Sequence, residues 1–181
     1  MHWIDPACLS ERRGRVSQFL INSHGDIDGM ILDGRLQVHV PPHLGRTIGR
    51  YIKPGERISV RGLKPRHADV VAAVLVTTSS GRPILDEGPD HAAPERVQPT
   101  ARPVETDGQI QQALYGPRGE LRGALLKDGT SIRMPPHAAE ALADYLQPEI
   151  HVRAWGHAIK TRYGMTIEVS DLAMLIDAPA S

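Results

Sequence analysis

Histidine, cysteine and acidic residues are the side chains of this sequence that could carry chemistry, but their spacing supports no reactive site. His39 and His43 are four residues apart, but Pro41-Pro42 separates them, so no helix places both on one face. The single cysteine, Cys8, excludes an internal disulfide framework and a cysteine-rich zinc site. Nucleophile-elbow, phosphate-loop and dinucleotide motifs are missing from the sequence. We therefore expect a protein that is not an enzyme, with no catalytic residues, no metal site and no cofactor.

The composition is that of a globular chain. The sequence has 181 residues, of which 40% are hydrophobic and 23% charged, so wholesale disorder is not expected. Apolar runs stay far below the roughly 20 residues that span a bilayer, and the first residues lack the pattern of a secretory signal. These features predict a cytoplasmic protein that has no membrane partner.

The elements that could position a site are duplicated. Pro41-Pro42-His43 recurs as Pro135-Pro136-His137, an offset of 94 residues. At that offset Gly29 matches Gly123, and most apolar positions between residues 14 and 62 keep their character without a gap. Matching glycines and apolar positions indicate an internal duplication.

The two copies are separated by a stretch of different composition. Residues 81–107 hold five prolines and six acids against three arginines, and they show no apolar periodicity. This composition predicts an extended acidic linker. The sequence therefore predicts a first domain at 11–80 and a second at 108–176, each small enough to be marginally stable alone.

The sequence of each copy predicts five strands and one helix. Alternation in 35–40 and 57–61 is typical of half-buried strands, and Asp33-Gly34 predicts a tight hairpin. Apolar residues at helical spacing follow the paired prolines, which predicts a helix over 43–52 and a second over 137–146. Glycine within the second strand of each copy predicts a bulge or a close approach of two backbones.

This order, three strands, a helix and two more strands, resembles the oligonucleotide/oligosaccharide-binding (OB) fold. The resemblance covers both copies and implies a mainly β protein of two small five-stranded Greek-key barrels, each with a helix between its third and fourth strands. It implies no particular functional family. In the OB fold, ligands cross the second and third strands and touch the loops after the first and fourth strands.

Charge and aromatic side chains are shared unequally between the copies. Residues 11–80 carry 11 Lys and Arg against 6 Asp and Glu, a net charge of +5, whereas the whole chain is neutral. The second copy has Trp155 where the first has Arg61, and Tyr115 where the first has Ile21. A basic barrel suits a polyanion, and exposed rings can stack on bases.

Strand alternation and the resemblance together predict the candidate binding residues. They lie on outward strand positions or in loops of both copies: Arg35, His39, Arg57, Arg61, Lys64, Arg66, Tyr115, Arg133, Arg153, Trp155 and Tyr163.

Two functions are compatible with these features. The first is non-enzymatic binding of single-stranded DNA or RNA through a basic strand face and aromatic stacking. The alternative is a protein-interaction or assembly module that uses the barrel faces and strand edges, with a protein partner or a second copy of the chain. The basic first copy favours nucleic acid, whereas the few aromatic residues and the zero net charge favour the alternative.

Overall fold

The first copy folds into a five-stranded barrel with one added strand. The computed structural model describes residues 8–85 and 99–175. Its first six strands and first helix are β1 (Ser10–Ile21), β2 (Ile27–Leu32), β3 (Leu36–His39), α1 (Pro42–Tyr51), β4 (Arg57–Leu63), β5 (Val70–Thr77) and β6 (Pro83–Leu85). The strand order is β3-β2-β1-β4-β5-β6, and a parallel pairing of β3 with β5 closes the barrel.

The second copy forms a closed barrel of the same topology. Its elements are β7 (Arg102–Tyr115), β8 (Leu121–Leu126), β9 (Ser131–Arg133), α2 (Pro136–Ala141), a 3-10 turn (Ala143–Leu146), β10 (His151–Thr161) and β11 (Gly164–Met174). The barrel order is β10-β11-β9-β8-β7, and β9 pairs in parallel with β11 as β3 does with β5. The chain is therefore mainly β, with two OB-type barrels, and each helix lies between the third and fourth strands of its barrel.

The duplication is confirmed by the element bounds. Strand β8 starts and ends 94 residues after β2, and β10 and β11 start 94 residues after β4 and β5. The predicted close approach at the strand glycines is confirmed as well. Gly123 has a φ of +151°, and a Cβ there would lie 1.9 Å from the carbonyl oxygen of Ile132. A side chain at this position would therefore push β8 away from β9.

Two details differ from the sequence-based expectations. The helix predicted over 137–146 ends at Ala141, and the chain continues as a 3-10 turn in which the amide of Tyr145 donates to the carbonyl of Leu142. Ordered strands also enter the predicted linker from both sides. Strand β6 pairs with β5, and β7 begins at Arg102 because its first residues pair with β10. Residues 86–98 of that linker lie outside the described residues.

Each barrel has its own apolar core, and the second barrel also contributes to the first. Val38, Ile48 and Val60 belong to the first core, and Ile110, Ile132 and Val152 to the second. Ile159 of β10 is buried in the first core. Within the described residues, no helix is long and apolar enough to cross a membrane.

Candidate nucleic-acid interface

The two barrels pack face to face through the outer sides of their first two strands. Leu20 and Ile31 of the first barrel form one buried cluster with Leu114 and Leu125 of the second. Leu114 follows Leu20 by 94 residues, and Leu125 follows Ile31 by the same offset. Each barrel therefore presents the same two apolar positions to the other, as the subunits of a symmetric dimer do.

Polar contacts around this cluster obey the same symmetry. The Gln18 side-chain amide donates to the carbonyl of Gly129 at 3.0 Å, and Gln112 donates to the carbonyl of Arg35 at 2.9 Å. These donors are equivalent in the duplication, and so are their acceptors. The barrels are therefore related by a local two-fold axis that passes between them.

Two further contacts between the barrels do not follow this symmetry. The buried Gln37 side chain donates to the carbonyl of Tyr115 and accepts from its amide, both at 2.8 Å. Arg133 forms a two-pronged ion pair with Asp28, in which one nitrogen–oxygen distance is 2.7 Å. Among the predicted ligand contacts, the backbone of Tyr115 and the side chain of Arg133 are thus engaged in joining the barrels.

His39 lies beside this ion pair in a small pocket between the barrels. The pocket has a volume of about 70 Å³, and its lining includes Asp28, Arg122 and Arg133. Burial lowers the pKa of His39; the charge of Arg133 acts in the same direction, and that of Asp28 opposes it. The expected crossing face of β2 and β3 is therefore covered by the second barrel, and His39 lines a narrow pocket.

The other predicted cations fall into two groups. Three form ion pairs with neighbouring acids at 2.6 to 3.3 Å: Arg61 with Glu11, Lys64 with Asp69, and Arg153 with Asp107. The hydrogen bond from Arg153 holds the pKa of Asp107 below its usual value. Arg35, Arg57 and Arg66 are exposed and form no ion pair with another described residue. Trp155 is half-buried on β10.

A basic stripe on α1, which sequence reasoning did not single out, lies beside the barrel junction. Arg46 and Arg50 are one turn apart, and Lys53 follows just after the helix ends. Gly45 and Gly49 bring this helix close to its neighbours. A Cβ on Gly45 would lie 1.9 Å from the carbonyl oxygen of Ile27, and one on Gly49 would lie 2.7 Å from the hydroxyl of Tyr163.

The hairpin between β10 and β11 brings two more side chains to this place. Tyr163 packs edge-on against Phe19 of the first barrel, with ring centroids 5.8 Å apart and planes at 88°. Arg162 donates to the Tyr163 hydroxyl at 2.6 Å, and its guanidinium carbon lies 4.8 Å from the centroid of the tyrosine ring. Of the predicted binding residues, Tyr163 is thus the one that joins the α1 stripe.

Together these side chains line two adjoining clefts between α1 and the hairpin. Their volumes are about 300 and 440 Å³, and both are lined by Arg50, Arg162 and Tyr163. Arg46 lines the smaller cleft and Lys53 the larger. We call Arg46, Arg50, Lys53, Arg162 and Tyr163 the basic cleft.

The four cations of the basic cleft make no ion pair with any residue that the structure describes. The Nε of Arg46 is buried and has no hydrogen-bond partner among those residues. Asp26 is the acidic side chain among the described residues that line the smaller cleft. Like charges one turn apart destabilise a helix by about 0.2–0.5 kcal/mol, so this arrangement does not serve the stability of α1.

Two of the three equivalent positions of the α1 stripe carry the opposite charge in the second copy, and the third is neutral. Glu140 and Asp144 replace Arg46 and Arg50, and Gln147 replaces Lys53. This reversal, read together with the spacing of Arg46 and Arg50, could have drawn attention to the cleft from the sequence. In the described parts of the chain, no three histidine, cysteine or acidic side chains come together as a metal site requires.

The strand pairings, the helix position and the duplication define a tandem OB-fold protein. No protein-family model matches the chain, and no curated protein matches its sequence. Two solved structures that match are the wild-type single-stranded DNA binding protein from Thermus aquaticus and a deletion mutant of it. The wild type is 15% identical over 93% of each chain with a TM-score of 0.33. The mutant is 13% identical over 92% of this chain and 93% of that chain, with a TM-score of 0.32. The likeness to both is weak.

Proposed function

We propose that this chain is a non-enzymatic single-stranded nucleic-acid binding protein whose main contact runs through the basic cleft. The observation that carries the proposal is the set of four cations around Tyr163 that form no ion pair with any described residue. Cations without counter-ions attract a polyanion, and their charge acts most strongly where low-dielectric walls surround them. A single-stranded nucleic acid is the polyanion that also offers unstacked bases to an aromatic ring.

A single strand could use both the cations and the aromatic ring of the cleft. A strand laid along α1 would place phosphates opposite Arg46, Arg50 and Lys53, which follow one another along the helix and its end. One of its bases would then face the hairpin that carries Tyr163. Stacking on such a ring contributes about 1–3 kcal/mol per base and depends little on base type. The exposed side chains of Arg35, Arg57 and Arg66 are candidates for weaker contacts beyond the cleft.

Fluorescence anisotropy with labelled DNA and RNA oligomers of about 20 nucleotides tests the proposal. Neutralising four phosphates of a single strand predicts a slope of about −3 in a plot of log affinity against log salt concentration. The double variant R50E/R162E should bind at least about tenfold more weakly at low salt, and its slope should be shallower by about 1.4.

The matched control is R12E/R118E, which changes the net charge equally at two exposed arginines outside the cleft. This variant should keep its affinity within about threefold of the wild type. Equal losses in both double variants would show that net charge matters and the cleft does not. Failure of the wild type to bind any oligomer at low salt would overturn the proposed function.

A further inference from the structure

Three guanidinium groups of the basic cleft line the smaller cavity of about 300 Å³, and they come from both barrels. Arg46 and Arg50 project from α1 of the first barrel, and Arg162 comes from the β10–β11 hairpin of the second. No described acid forms an ion pair with any of the three. Their charges are therefore concentrated in one cleft, whose described lining contains a single acidic side chain, that of Asp26.

Arg46 gives a second indication of an anionic ligand. Its residue is only partly exposed, and its Nε is buried without a hydrogen-bond partner among the described residues. A buried charged donor without an acceptor is unfavourable, and an anion bound beside it would compensate its charge. The planar fork of guanidinium donors matches the oxygens of phosphate better than it matches any neutral ligand.

We propose that this cavity is a discrete phosphate-binding site formed by Arg46, Arg50 and Arg162. The proposal deepens the proposed function, because it names the group that the cleft would grip most firmly in a nucleic-acid strand. The shared chemistry is the phosphate oxyanion, and its source is either the strand itself or free phosphate. Since Arg162 belongs to the second barrel, the site exists only while the two barrels are packed together.

Inorganic phosphate is the probe that separates this site from general polyanion binding. The arginine Nε–H resonances of the full chain should be followed by NMR while phosphate is added at constant ionic strength, with chloride as the balancing anion. We expect saturable shifts at Arg46 and Arg162, with half-saturation at millimolar phosphate. Chloride alone should not produce them.

The variants R46Q and R162Q should each weaken phosphate binding at least about fivefold. The exposed variant R12Q should bind phosphate like the wild type. R162K keeps the positive charge but loses the planar guanidinium donors, so its affinity for phosphate should lie between those of R162Q and the wild type. Unchanged backbone resonances in the cores of both barrels verify that each variant is folded.

A second arm uses the labelled oligomer. If phosphate saturates the site and also displaces the oligomer at constant ionic strength, both proposals are supported. If phosphate saturates the site but no oligomer binds, the phosphate site stands with free phosphate as its ligand, and the proposed function fails. If oligomers bind while phosphate leaves the cleft resonances unmoved, the phosphate site is overturned and the proposed function survives.

Discussion

Removing one member of the ion pair between Asp28 and Arg133 should destabilise the whole chain, because the pair joins the two barrels and is largely buried. The side chains of Asp28 and Arg133 are 12% and 20% exposed. Losing one partner of a buried pair costs about 3–5 kcal/mol, since the other charge is left without compensation. The remaining exposure of Arg133 places our expectation for D28N at the lower end, about 3 kcal/mol.

For a chain of this size each kcal/mol lowers the melting temperature by about 2–4 °C, so D28N should melt about 6–12 °C below the wild type. Urea unfolding followed by circular dichroism gives the same quantity at 25 °C. The matched control is R153A. Arg153 also forms a close ion pair, with Asp107, but the two side chains are 39% and 51% exposed, and such pairs contribute about 0–1 kcal/mol.

The double variant D28L/R133M makes the reasoning refutable. If the cost of D28N comes from a stranded charge, replacing both partners by apolar side chains should restore most of the lost stability. Single variants D28L and R133M complete the thermodynamic cycle, and we expect a coupling energy of about 2 kcal/mol. If the losses in unfolding free energy of D28L and R133M simply add in the double variant, this pair does not hold the barrels together. The same conclusion follows if D28N destabilises the chain no more than R153A does.

Two further outcomes concern the same junction. I31A and L125A should each lose about 2–5 kcal/mol in urea unfolding, because both residues are fully buried between the barrels at equivalent positions; a loss below about 1 kcal/mol in either would contradict the packing. Burial lowers the pKa of His39 below its ordinary value of 6.5, so the unfolded chain takes up the proton first as the pH falls. The stability that neutral His39 gives to the folded chain is fully present above about pH 6.5 and is lost as the pH drops through the lowered pKa. Thermal melts of the wild type from pH 7.5 to 5 should show this loss. The same dependence of melting temperature on pH in H39Q would refute it.

The barrels could be predicted from the sequence because local patterns determine them. The paired prolines locate both helices, and glycine within β2 and β8 marks where two backbones approach. The sequence did not reveal how the barrels pack on each other, because Leu20 and Ile31 look like ordinary strand residues when one copy is read alone. The comparison of the copies did not separate outward from inward apolar positions, although outward apolar positions that persist in both copies indicate a shared interface.

The ion pair was missed for a related reason. Asp28 does not stand out in the sequence because Arg122 stands at its equivalent position, and Arg133 was predicted to be a ligand contact. The two-fold axis, however, places Asp28 of one barrel opposite Arg133 of the other, so their opposite charges form an ion pair. A contact across a symmetry axis joins residues that are unrelated in sequence spacing, and no local pattern reveals it.

The duplication also bears on how many ligands one chain can hold. Several positions at the junction keep their chemical type in both copies, as Leu20 and Leu114 or Gln18 and Gln112 do. A two-fold axis that preserved everything would create two equivalent clefts. The charge along α1 is instead reversed in the second copy, where Glu140 and Asp144 would repel the phosphates that Arg46 and Arg50 would attract. The positions shared by both copies thus supply part of the junction, and divergence of the helix charges leaves the basic cleft, built from both barrels, without a basic counterpart on α2. If the proposed function holds, one chain therefore binds one strand and not two.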